Sequence, residues 1–141
     1  MSQPRVAPLP APRVLTRPVP MELLGPDVAV RIDTTVGYTS RDPHALSIAF
    51  HLLGDDSVVW RLDRETVVTG SLAPVGEGEV HLWPDADGGL LLRLGPAGHR
   101  VVIRCDVETL TRVVRDTFVL VPPGTEERHI DWGPFFASLG L

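Results

Sequence analysis

The 141-residue chain contains no lysine and no asparagine, so all 13 basic residues are arginines. The missing lysine excludes a G-x-x-x-x-G-K-[ST] phosphate loop outright. Both missing amino acids use A-rich codons, which points to a GC-rich genome and bears on source rather than mechanism. A single cysteine, Cys105, excludes an internal disulfide and fits a reducing compartment. No apolar run approaches the ~18 residues that span a bilayer. Residues 1–20 also lack the continuous apolar stretch of a secretory signal. A cytoplasmic protein without direct membrane insertion is expected. Catalytic templates are absent as well. There is no G-x-S-x-G elbow. Gly76-Glu77-Gly78 lacks the third glycine and the following helix of a dinucleotide fingerprint. His44, His51, His81, His99 and His129 stand singly, without the close pairing of zinc ligands. No enzyme, cofactor or metal is expected.

Charge is present but unevenly placed. Residues 1–20 hold Arg5, Arg13 and Arg17 and no acid, leaving ten arginines against 18 acids, a balance of −8, in the remainder. An acidic body repels the phosphate backbone that dominates nucleic-acid affinity, so nucleic acid is not an expected partner. The same first 20 residues contain Pro4, Pro8, Pro10, Pro12, Pro18 and Pro20. Proline lacks the backbone donor of regular structure and favours extended conformations. A disordered tail over residues 1–22 and one domain over 23–141 are expected, with a docking arm as the sharper reading of the tail. Met21 is an alternative start that would make the tail an artefact.

From Val28 the chain alternates through Val30, Ile32 and Thr34, the period of a half-buried strand. Arg41-Asp42-Pro43-His44 breaks it. Ala45–Leu53 and Val58–Leu62, joined by Gly54-Asp55-Asp56-Ser57, read as a hairpin. Asp63 is placed to cap a short helix over 64–69, stopped at Gly70. Glu79–Trp83, Leu90–Leu94 and Val101–Arg104, separated by glycine-rich turns, read as an antiparallel meander. Asp106 precedes Val107, Leu110, Val114 and Phe118, whose spacings of three, four and four define one helical face. A last helix is expected from Asp131, with Phe135, Phe136 and Leu139 packing inward.

Few residues invite a chemical role. Cys105 reads as a small apolar residue. Asp55-Asp56 and Glu126-Glu127 read as solvated charge pairs. Trp60 and Trp83 read as core or apolar-interface residues. A partner-binding surface is placed at Arg61, Arg64 and Glu65, polar residues at a helix start.

The motifs occur in an order that resembles the SsgA-like proteins, sporulation and cell-division regulators of morphologically complex actinobacteria. Tyr38, Asp42-Pro43-His44-Ala45-Leu46 and Phe50-His51 look like the family's Y…DPxAφ…FH segment. Trp60–Glu65 is similar to W-x-φ-x-R-[DE]. Gly76–Pro84 resembles G-x-G-[DE]-V-x-φ-W-P, and Pro96-Ala97-Gly98 the P-x-G turn. Thr117, Val121-Pro122-Pro123-Gly124-Thr125-Glu126 and His129-Ile130-Asp131 resemble the VPPGTE…H-x-D ending.

The resemblance covers residues 24–135. It implies an α+β fold of antiparallel sheets packed with helices, whirly-like, similar to single-stranded nucleic-acid-binding proteins. It also implies a homotrimer and no catalytic residues. The implied role is a non-enzymatic one at the division septum: positioning or promoting the ring of the tubulin-like protein FtsZ, together with SsgA-like paralogues. Single-stranded nucleic-acid binding is the alternative that the whirly-like fold suggests. From the residues themselves, Val121–Glu126 is expected to be a hinge that sets the angle between two helices, with an exposed partner-binding loop as the alternative.

Overall fold

The computed structural model describes residues 8–54 and 56–141. Arg5, Pro4 and Asp55 lie outside them. Nine strands form one antiparallel sheet: β1 (Val14–Pro18), β2 (Met21–Leu24), β3 (Ala29–Thr39), β4 (Ala45–His51), β5 (Ser57–Asp63), β6 (Val75–Glu77), β7 (Val80–Pro84), β8 (Gly89–Leu94) and β9 (Val101–Asp106). Their order is β5-β4-β3-β2-β9-β8-β7-β6, with β1 beside the second half of β3. Helices α1 (Arg64–Gly70), α2 (Val107–Leu120) and α3 (Gly133–Ser138) complete the α+β architecture.

Local chemistry accounts for most of these boundaries. The Asp63 carboxylate accepts from the Glu65 N–H, and that of Asp106 accepts from the Thr109 N–H, each satisfying a donor at a helix start. Thr34, Val36 and Tyr38 alternate inward along β3, while Val28 and Val30 are exposed. Leu46, Ile48, Leu82, Leu90, Leu92 and Ile103 present a continuous apolar face. Leu110, Val113 and Val114 of α2 and Val67 of α1 join the same core.

Three sequence expectations need correction. The expected disordered tail over 1–22 does not extend through residues 14–22. β1 pairs with β3 from Val14↔Thr39 to Pro18↔Thr35, and β2 begins at Met21. Leu15, Val19 and Met21 are buried, so burial outweighs the proline content here. Proline is tolerated because β1 lies at an edge, where a missing ladder donor faces no partner. Second, Phe135, Phe136 and Leu139 do not pack inward; they are 53%, 41% and 57% exposed. Third, β6 was not foreseen, because three residues are too few to show a period.

Candidate partner-binding site

The surface expected at Arg61, Arg64 and Glu65 is divided by the fold. Arg61 and Glu65 are exposed, and Arg61 pairs with Asp42 at the surface. Arg64 is fully buried and so cannot meet a partner. Its backbone N–H donates to His44 O at 2.8 Å, which turns the first helical residue inward.

The Arg64 guanidinium sits in a closed polar cluster. One nitrogen (Nη2) donates to Glu126 Oε1 at 3.0 Å, and the other (Nη1) to Thr117 O at 3.1 Å. Its carbon lies 4.4 Å from the Phe118 ring centroid and 5.4 Å from that of Tyr38, within cation–π range. Tyr38 in turn donates its hydroxyl to Pro43 O at 2.9 Å. The Asp42-Pro43-His44 turn is thus held at three successive residues: Asp42 by Arg61, Pro43 by Tyr38 and His44 by Arg64.

Glu126, expected to be a solvated charge, is buried. Burial pushes its carboxyl pKa up. Hydrogen bonds from its own backbone N–H, from Arg64 and from the Gly124 N–H outweigh that and hold the value below the ordinary carboxylate range. Val121-Pro122-Pro123-Gly124 delivers this residue. Val121 is fully buried in the core, and Gly124 adopts a φ of +86°, a conformation that a side chain would strain. The expected hinge is therefore a latch: it fastens the chain after α2 back onto the start of α1.

The remaining candidates fall elsewhere. Cys105 is buried in the core, and burial followed by the nearby Asp106 charge pushes its thiol pKa up to about 12. It is a packing residue. Trp60 packs against the core, as expected. Trp83 lies on the sheet face away from the helices, opposite Leu91. Trp132 is 42% exposed beside α3 and meets Phe135 edge-on, with ring centroids 6.1 Å apart. Among the described residues no group of His, Cys, Asp and Glu converges in a way that could hold a metal. No helix among them is long and apolar enough to cross a membrane.

Sequence reasoning could not find the Arg64–Glu126 pair, because 62 positions separate its members. The one available signal was that both lie in motifs of the same resemblance.

Fold and site define a small antiparallel α+β protein whose most distinctive polar residues are spent on holding the chain together. The chain belongs to the SsgA family, described as the Streptomyces sporulation and cell division protein SsgA, which it matches over residues 32–126. It is 32% identical over 121 residues to the sporulation-specific cell division protein SsgB of Thermobifida fusca, covering 83% of this chain and 88% of that protein. Identity to the SsgB of Frankia casuarinae is 34% over 122 residues, covering 83% and 85%. The crystal structure of an SsgA-like sporulation-specific cell division protein from Thermobifida fusca superposes with a TM-score of 0.81 at 30% identity, covering 90% of this chain and 96% of that one. A structure from work on SsgB and longitudinal cell division in Streptomyces coelicolor gives a TM-score of 0.78 over 84% and 96% of the two chains; at 23% identity this likeness bears on the fold alone.

Proposed function

We propose that the protein is a non-enzymatic adaptor in sporulation-specific cell division. It binds division proteins at the septum and helps to position or promote the FtsZ ring there. The observation that carries this reading is family membership across most of the chain, with SsgB relatives matched over more than four-fifths of both lengths. The residues support it in a second way. The family-like motif residues Tyr38, Arg64, Thr117 and Glu126 are turned inward into a structural cluster, which leaves contact to the exposed surface. A protein that acts by contact needs a stable scaffold and free faces rather than a reactive pocket. The working assembly on this reading is a homotrimer that also contacts SsgA-like paralogues.

The test is co-purification of the tagged full chain with FtsZ and with SsgA-like paralogues from the host, together with a deletion strain. Enrichment of FtsZ and loss or misplacement of sporulation septa are expected. Failure to enrich any division protein, with normal septation in the deletion strain, would overturn the reading.

A further inference from the structure

The sheet face away from α1 and α2 is uncovered on one half of the molecule, and its composition departs from that of the chain. The strand register sets Trp83, Leu91, Arg104, Glu22 and Arg31 in one row across β7, β8, β9, β2 and β3. The adjacent row runs Gly76, His81, Arg93 and Val102. Their sequence neighbours Leu82, Leu90, Leu92 and Ile103 point the other way, into the core. In a body whose balance is −8, this face gathers three guanidiniums and an imidazole.

Acids offset the charge around Arg31 and Arg104, where Glu22, Asp85, Asp87 and Asp106 lie, but none lines the part of the face beside Trp83 and Arg93. Asp85 neutralises Arg104 at 3.0 Å, and Glu22 stands between Arg104 and Arg31. Among the described residues neither Arg31 nor Arg93 has an ion-pair partner, and the Arg93 Nε is buried without an acceptor. The face is also hollowed. One depression of about 450 Å³ lies among Glu22, Arg31, Arg104 and Asp87–Gly89. A second, of about 390 Å³, lies beside Trp83 and Arg93 over Pro74–Gly76. Two glycines keep the relief low. A Cβ at Gly76 would stand 2.0 Å from His81 Nδ1, and one at Gly89 would stand 2.7 Å from Arg104 Nε. The imidazole and the guanidinium therefore lie across bare backbone.

We propose that the part of this face around Trp83 and Arg93 is a docking site for an extended, acidic peptide segment of a partner protein, with an apolar anchor seated beside Trp83 and a carboxylate on Arg93. The chemistry matches on each count. A guanidinium pairs with a carboxylate through two parallel N–H donors. Tryptophan and arginine are the residues that most often dominate protein interfaces. Side chains alternate along an extended peptide, so a carboxylate can meet Arg93 while an apolar side chain two residues away seats beside Trp83. A nucleic-acid strand fits less well, because its evenly charged backbone would run on from Arg93 against Glu22, Asp85, Asp87 and Asp106 around the first depression. The proposal deepens the adaptor reading and rests on it only for the partner being a protein.

Fluorescence anisotropy tests the surface directly, using the full chain and a labelled peptide of about a dozen residues that alternates acids with Leu and Phe. Labelled oligo(dT) is the second probe. Saturable peptide binding is expected, weakened about tenfold or more by Arg93→Glu and by Trp83→Ala. Both variants should keep the wild-type circular dichroism and melting temperature, and Arg61→Ala should bind as wild type does. Absence of peptide binding up to about 1 mM would overturn the site, that being the weak end of measurable affinity. Binding that survives both substitutions, or tighter binding of oligo(dT), would do the same. Co-purification of FtsZ by the wild type is scored separately. Peptide binding with no division protein enriched and normal septation in the deletion strain leaves the site standing and removes the adaptor reading, and the converse removes the site alone.

Discussion

Glu126→Ala is expected to destabilise the protein far more than a loop glutamate should. The Glu126 carboxylate is 6% exposed and the Arg64 side chain not at all. Removing the carboxylate leaves the guanidinium in the interior without its anion, keeping the bonds to Thr117 O and Oγ1 and the rings of Tyr38 and Phe118. Breaking a buried pair from one side costs about 3–5 kcal/mol, because an uncompensated charge remains. At roughly 3–4 °C per kcal/mol for a chain of this size, the melting temperature should fall by about 10–20 °C. Glu126→Gln retains an acceptor and should cost about 1–3 kcal/mol. Replacing both partners with apolar residues, Arg64→Met with Glu126→Leu, should recover much of the loss. The sign with pH follows from the lowered folded pKa of Glu126. Its contribution is present above the unfolded pKa and is lost as pH falls through the folded value, so Glu126→Gln should flatten the acid limb of the stability curve. Urea unfolding followed by circular dichroism measures each variant. A Glu126→Ala cost below about 1 kcal/mol at pH 7, with an unchanged urea slope, would refute the latch.

A chain beginning at Met21 loses β1 and with it the buried Leu15 and Val19. Each such side chain is worth about 1.5–3 kcal/mol, so a clear drop in melting temperature is expected, and an unchanged melt would show that β1 adds nothing. Gly70→Ala separates propensity from packing. Propensity favours Ala by about 1 kcal/mol, but a Cβ there would stand 2.6 Å from the Cβ of the buried Leu82. A net loss of about 1–3 kcal/mol is expected in urea unfolding, and a gain would contradict the packing. Cys105, with its thiol pKa pushed up to about 12, should resist a disulfide reagent at pH 8 in the folded chain and react once guanidinium unfolds it. Rapid native labelling would show that the thiol is accessible.

Legibility in the sequence followed the range of the interactions. The β4–β5 hairpin, the β7–β8–β9 meander and α2 were readable, because turn residues, alternation and the Asp106 cap act within a few positions. The strands at Val14 and Met21 were not, because their prolines speak for extended disorder until a pairing edge on β3 is known. Arg64 looked accessible at a helix start and is buried by contacts from Tyr38, Phe118 and Glu126, all distant in the chain. Glu126-Glu127 looked like one solvated pair, yet the fold takes the first inside and leaves the second exposed. The apolar residues near α3 matched an inward face in composition, but a helix of six residues leaves them outside.

The inward placement of the motif residues has a consequence for how relatives can differ. Tyr38, Arg64, Thr117 and Glu126 are each at most 5% exposed, so none can distinguish one partner from another. They account for the shared fold, and any difference in partner must reside in exposed groups. The two kinds of substitution should therefore fail in different ways. Glu126→Ala lowers the population of folded protein and so should weaken every interaction in the same proportion, with near-normal affinity for the fraction that remains folded. Arg93→Glu changes a half-exposed charge on the outer face and should discriminate among partners at constant melting temperature. Titrating both variants against two probes, with the folded fraction measured in parallel, separates the cases. Equal losses for Arg93→Glu against an acidic and a neutral probe would place Arg93 with the scaffold and not with recognition.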